Sequence, residues 1–307
     1  MGVLAMAVAL FAASGCVESA HAAIVPARPF AGFTGDVVPL VHGHSHNDYQ
    51  QRHPLADALT RGYTSIEADV VLVRGKLLVG HDELQALARG ATLRALYLDP
   101  LADWVERNGG SVFGPDQPGL QLLIDVKSEA RSTWRALEGL LTGYEDMLTR
   151  FTPDGIEPGA VTVVVSGNRA PELVAAEEDR LTALDGRVQD LDGATSAELT
   201  PLISERWADV FRWSGRGTIP GADLARLRAI VAAAHAQGRR VRFYDTPAAT
   251  GSIRENVWRT ELAEGVDLLN VDNLAAGQTF LLAQPHPAAT SGASAAPDVK
   301  GRAPQGH

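Results

Sequence analysis

Short apolar runs alternate with longer stretches of helical period over most of the chain. Runs that read as buried strands are 37–41 (VVPLV), 64–70 (TSIEADV), 120–126 (LQLLIDV), 161–165 (VTVVV), 239–244 (RRVRFY) and 266–271 (VDLLNV), with weaker ones at 186–191 (GRVQDL) and 200–205 (TPLISE). Between many of them apolar residues recur every three to four positions, in PLADALTRG, LYLDPLADWVERNG, EARSTWRALEGLLTGYEDMLTRF, GADLARLRAIVAAAHAQG and SIRENVWRTELAEG. Strand and helix in alternation imply a parallel sheet, because each crossover must run back past the sheet before the next strand begins. Eight such runs favour a closed (β/α)8 TIM barrel, a single domain spanning residues 30–282, over an open sheet.

The two ends fall outside this pattern. The apolar stretch VLAMAVALFAA is too short to cross a bilayer, and AHAA follows it with a small-x-small site, so residues 1–22 are expected to be a secretory signal peptide. Secretion without a stable transmembrane anchor is the expectation, with lipid attachment at Cys16, the single cysteine, as the alternative. Residues 283–307 are rich in Ala, Pro, Ser and Gly without apolar period and are expected to be a disordered tail. A formal net charge of −10 removes nucleic acid as an expected partner, because phosphate backbones are held by clustered Lys and Arg.

In such barrels the chemistry gathers at the C-terminal ends of the strands. Three histidines, His42, His44 and His46, follow the first run, with Asn47 and Asp48 directly after them. Glu67 and Asp69 close the second run, and Asp125 and Lys127 the third. Residues two apart in a strand share a face, so each pair points the same way. Carboxylates beside Leu, Ile and Val are costly unless paired or metal-bound, and an oxygen-rich set suits Mg2+ or Ca2+. An H-x-H after the first strand also fits a zinc hydrolase of the amidohydrolase type, but His235 is the only later candidate in the folded region and it lies in a helical stretch. A secreted binding protein on a barrel that has lost its chemistry is the non-enzymatic alternative.

The motifs HSHNDY, PLADAL..GYTSIEADVVLVRGKLLVGHD and LLIDVKS, with VSGNR, RFYDTP and GVDLLNVDNL further on, resemble the glycerophosphodiester phosphodiesterase and phosphatidylinositol phospholipase C superfamily. Within it they resemble the branch labelled altered inheritance of mitochondria protein 6. The resemblance implies a TIM barrel and metal-dependent hydrolysis of a small-molecule or lipid phosphodiester, of the glycerophosphodiester or (lyso)phospholipid type. It implies metal ligands at Glu67, Asp69 and Asp125, a substrate-binding lysine at Lys127, and a catalytic histidine at His81. The stretch Gly43-His44-Ser45-His46-Asn47 also matches the G-H-x-x-N pattern of sphingomyelinase D-type phospholipases, which makes His44 the other catalytic histidine, with His46 as the alternative or partner for that role, and places Asn47 and His46 at the substrate. The H-R-G and P-E-N-T signatures of typical glycerophosphodiester enzymes do not occur here.

Overall fold

The computed structural model describes residues 37–193 and 195–284. The expected signal peptide, Cys16 and all but the first two residues of the expected tail lie outside that range.

Eleven strands are formed: β1 Leu40–Ser45, β2 Tyr63–Val73, β3 Lys76–Val79, β4 Leu120–Val126, β5 Arg150–Thr152, β6 Gly155–Glu157, β7 Val161–Gly167, β8 Thr182–Gly186, β9 Leu202–Arg206, β10 Arg240–Tyr244 and β11 Leu268–Val271. Eight of them, β1, β2, β4, β7, β8, β9, β10 and β11, pair in parallel in that order, and β1 pairs with both β11 and β2. The sheet is therefore a closed (β/α)8 barrel, as the alternation of runs implies. Closure leaves no free edge among those eight strands, so their backbone groups are satisfied within the sheet.

Strand period sorts the side chains. Ile66, Ala68 and Val70 of β2 and Leu122, Ile124 and Val126 of β4 are buried outward against the helices. The opposite parity, Ser65, Glu67 and Asp69 on β2 and Gln121, Leu123 and Asp125 on β4, faces the barrel axis. Leu123, Val164, Ala183, Leu202 and Leu268 form one apolar cluster there, but much of the rest of the interior is polar.

Two strands depart from the sequence expectation. The first starts and ends later than 37–41, since Pro39 carries no N–H and pairing begins at Leu40. His44 pairs with Ser65 of β2 and Asn270 of β11, so it is a strand residue rather than part of the following loop. The fifth barrel strand is β8, Thr182–Gly186, not 186–191. Residues Val188–Asp192 instead form a 3-10 turn whose start is tied by the Arg187 backbone N–H donating to Asp190 Oδ2 at 2.7 Å. The antiparallel β2–β3 hairpin is an addition, turned by Arg74 and Gly75, both at positive φ as a two-residue turn of this type needs. The crossover from β1 to β2 holds only one α-helical turn, Ala56–Leu59. No helix among the described residues is long and apolar enough to cross a membrane.

Candidate active site

The C-terminal ends of the barrel strands surround a cavity of about 790 Å³. Among the described residues lining it, Val126 and Ala248 are the only aliphatic ones. Glu67, Asp125, Lys127, His46, Asn47 and His81 all face it, as do Arg187, Arg242, Asn270 and Asp272.

Glu67, Asp69 and Asp125 each offer one oxygen within 4.8 Å of the others. β2 and β4 run in parallel with Asp69 opposite Asp125, so the two carboxylates meet by register. Asp69 Oδ2 accepts from Tyr49 Oη at 2.9 Å and lies 2.8 Å from His81 Nδ1, while Lys127 Nζ donates to Asp125 Oδ2 at 2.8 Å. The other oxygens, Asp69 Oδ1 and Asp125 Oδ1, are buried without a hydrogen-bond partner. Burial pushes Asp125 up to about 6 and raises Asp69 too, with Lys127 working against both shifts. Two buried, unpartnered carboxylate oxygens beside a third carboxylate fit a hard divalent cation, which would supply the missing ligation.

Gly167, at the end of β7, makes that geometry possible. Its φ is +68°, and a Cβ there would overlap Asp125 Oδ1.

Glu67 sits deeper. Arg242 Nη1 donates to its Oε2 at 2.6 Å, and His44 Nε2 lies 2.8 Å from the same oxygen. Burial, the largest single influence, opposes its charge, but the Arg242 guanidinium and the contact with His44 together outweigh this and hold the carboxyl well below its usual range.

The three opening histidines separate along the strand. His42 hydrogen-bonds the Asp267 carbonyl at the opposite end of the barrel. His44 is fully buried beneath the cavity, with both ring nitrogens engaged. Burial first, and Arg242 second, lower its pKa to about 4, so the ring is neutral. His46 stands at the strand end and lines the cavity, its Nδ1 2.7 Å from Asp272 Oδ1. Burial disfavours its charged form, but the hydrogen bond to Asp272 and the charge of Glu67 prevail and raise its pKa. Thus the ring expected at the reaction, His44, lies under the floor, and His46 occupies the exposed position. The physical reason is that β1 runs on to Ser45 rather than ending at residue 41.

Asp48, directly after the histidines in sequence, does not line the cavity. It accepts from Ser45 Oγ, the Leu55 N–H and Tyr97 Oη, and so pins the loop after β1. An H-x-H zinc pair is not formed: Glu67, Asp69 and Asp125 are the only group of three or more metal-type side chains brought together among the described residues, and no histidine belongs to it.

Arg242, Asn270, Asp272 and Arg187 are missing from the sequence-derived set. A signal existed for two of them. Asp272 follows the last apolar run by the same strand-end rule that marks Asp125, and Arg242 is a charge set inside the buried run VRFY.

Residues 31–184 match the family described as AIM6-like phosphodiesterase domain. Over 271 residues the chain is 32% identical to an altered inheritance of mitochondria protein 6 homolog from Arthroderma benhamiae, covering 80% of this chain and 85% of that one. It is 31% identical over 281 residues to altered inheritance of mitochondria protein 6 from Eremothecium gossypii (81% and 72% covered), and 27% over 271 residues to that from Saccharomyces cerevisiae (75% and 68%). A glycerophosphoryl diester phosphodiesterase from Parabacteroides distasonis superposes with a TM-score of 0.49 at 12% identity, covering 84% of this chain and 92% of that chain.

Proposed function

The chain belongs to the AIM6-like phosphodiesterase family, and from that premise we propose that its barrel mouth is a metal-dependent phosphodiester hydrolase site with His46 and His81 as the proton-transferring pair. The observation that carries this reading is the cluster of Glu67, Asp69 and Asp125 at the polar cavity, the first and last lining it, with His46 and His81 lining it too and each histidine anchored by its own aspartate.

Glu67, Asp69 and Asp125 would hold Mg2+ or Ca2+, whose chemistry when bound is to neutralise charge on a phosphoryl oxygen. Lys127 is kept protonated: burial opposes its charge, but Asp125 and Asp69 outweigh this and raise its pKa, so it adds a fixed positive contact to the phosphate. Asn47 Nδ2 lies 3.2 Å from His46 Nε2, a contact the ring accepts only while neutral, so it yields when Nε2 carries the proton for the substrate. Asp272 fixes the His46 Nδ1–H and favours the imidazolium, which suits His46 to protonate the leaving alcohol. His81, bound through Nδ1 to Asp69, leaves Nε2 to take the proton of the attacking oxygen. His44 then acts beneath them, on Glu67, rather than on the substrate.

The scarcity of aliphatic lining favours a glycerophosphodiester over an acyl-bearing (lyso)phospholipid. Secretion remains part of the proposal and is tested by finding the processed chain in the culture medium. The deciding experiment incubates the purified protein with glycerophosphodiesters and lysophospholipids, with Mg2+, with Ca2+ and with chelator, beside Asp125→Asn and His46→Ala. Turnover that needs metal, Asp125 and His46 supports the reading. Tight metal binding without turnover on any substrate would favour the non-catalytic binding protein.

A further inference from the structure

The end of the barrel opposite the candidate active site holds a second cavity, of about 580 Å³. Its walls come from the N-terminal ends of strands: Val41 is second in β1, Leu120 and Gln121 open β4, Thr162 is second in β7 and Arg240 opens β10. Phe151 and Ile156 reach it from the β5–β6 hairpin. Apolar side chains predominate here, in contrast to the polar mouth, and two of them, Val41 and Ile156, are exposed. An apolar pocket with a few convergent polar groups is the usual form of a small-molecule site.

Arg240 sets the chemistry of this cavity. Residues two apart in a strand share a face, so Arg240 and Arg242 of β10 both point toward the barrel axis. Arg242 is neutralised there by Glu67, its Nη1 donating to Oε2 at 2.6 Å. Arg240 meets only a neutral group: its guanidinium donates to Gln121 Oε1, its one hydrogen-bond partner among the described residues. The carboxylate whose charge acts on it, Asp267, commits Oδ2 to His235 Nε2 at 2.9 Å and to the Val241 N–H at 2.8 Å, and is ion-paired with His235 rather than with Arg240. Burial disfavours the Arg240 cation, yet a guanidinium stays charged in a protein, so most of its five donors face the cavity without a protein acceptor. An anion entering the cavity supplies what they lack.

We infer that the cavity at the N-terminal end of the barrel binds an amphipathic monocarboxylate of the medium-chain fatty acid class, its carboxylate on Arg240 and its chain along Val41, Leu120, Phe151 and Ile156. A guanidinium matches a carboxylate with two parallel N–H···O bonds, and the apolar wall removes the chain from water. The charge of Asp267, felt at Arg240, repels a dianion such as phosphate more than a single negative charge. Size is consistent with a chain of several carbons: an apolar cavity of roughly 150 Å³ already takes benzene, and this one measures about 580 Å³. None of the residues proposed for metal binding or proton transfer lines it, so the inference stands apart from the phosphodiesterase reading of the mouth.

The test is calorimetric titration of the purified full-length protein with octanoate, beside octanol, acetate and inorganic phosphate. Octanoate should bind saturably at one site, with octanol, which lacks the charge, and acetate, which lacks the chain, each at least about tenfold weaker. Arg240→Met should weaken octanoate by at least about tenfold, whereas Lys127→Met, at the other end of the barrel, should leave it unchanged. Absence of saturable octanoate binding overturns the inference, as does octanol or phosphate binding as tightly as octanoate. Loss of binding in Lys127→Met but not in Arg240→Met also overturns it, by placing the anion in the catalytic mouth. If Arg240→Met does not fold, Ile156→Glu decides instead, a change at an exposed hairpin position. A carboxylate at that wall should weaken octanoate at least about fivefold, and an unchanged affinity in the folded variant overturns the inference.

Discussion

Replacing His46 with alanine separates the proposed general acid from a merely structural ring. His46 is partly buried, its Nδ1 is anchored 2.7 Å from Asp272, and the hydrogen bond to Asp272 with the charge of Glu67 raises its pKa against the effect of burial, which favours the protonated ring a leaving alkoxide needs. A positioned general acid contributes roughly 10²- to 10⁴-fold, or about 3–5 kcal/mol of barrier. That loss is expected in full for a glycerophosphodiester, whose leaving alcohol is a strong base. It should shrink below about tenfold for a p-nitrophenyl phosphodiester, whose leaving group departs without a proton. The assay is kcat/KM for both substrates at saturating Mg2+, in wild type, His46→Ala and His81→Ala. Only the His46 variant should be rescued by the activated substrate. Equal loss on both substrates for His46→Ala would refute the assignment, and rescue of His81→Ala alone would exchange the two roles.

Four further outcomes follow from the same structure. Asp272→Asn removes a hydrogen bond that raises the His46 pKa, so the basic limb of the pH–rate profile should move to lower pH; because Asp272 is 74% exposed, the rate loss should stay below about fivefold, or about 1 kcal/mol. Gly167→Ala should destabilise the fold by about 1–3 kcal/mol for its left-handed backbone, and should weaken Mg2+ binding measured by calorimetry because the new Cβ displaces Asp125 Oδ1; unchanged affinity would separate Asp125 from the cation. Binding of Mg2+ or Ca2+ should weaken as pH falls through about 6, where Asp125 takes up a proton, and Asp125→Asn should abolish that dependence. Glu261 is fully buried with both oxygens unpartnered and a pKa pushed well above 4.5 by burial, so the folded state holds a proton that the unfolded chain releases above that pH. Stability should therefore fall as pH rises above 4.5 toward the folded pKa, and Glu261→Gln, unfolded in urea at pH 5.5 and 8, should be favoured increasingly at the higher pH; a gap independent of pH would contradict the burial argument.

Much of the architecture is legible in the chain because strand parity is local. Residues two apart share a face wherever a strand forms, so the pairing of Glu67 with Asp69, and the arrival of Asp125 beside them, follow from runs whose limits the apolar pattern marks well. The run 120–126 coincides with β4, and VTVVV lies within β7. The weakest run, GRVQDL, misleads because its apolar residues serve a 3-10 turn, while the real strand, TALDG, is too short and mixed to stand out.

What the sequence by itself determined is the alternation that closes the barrel and the acidic set at the ends of β2 and β4. Only the tertiary structure decided which histidine reaches the cavity, because that depends on where β1 ends, and pairing with β2 and β11 carries the strand past His44 to Ser45. It also decided that Arg242 meets Glu67 across 175 positions of chain. Strand period is written into neighbouring residues, whereas contacts across a closed barrel depend on the register of every strand between them.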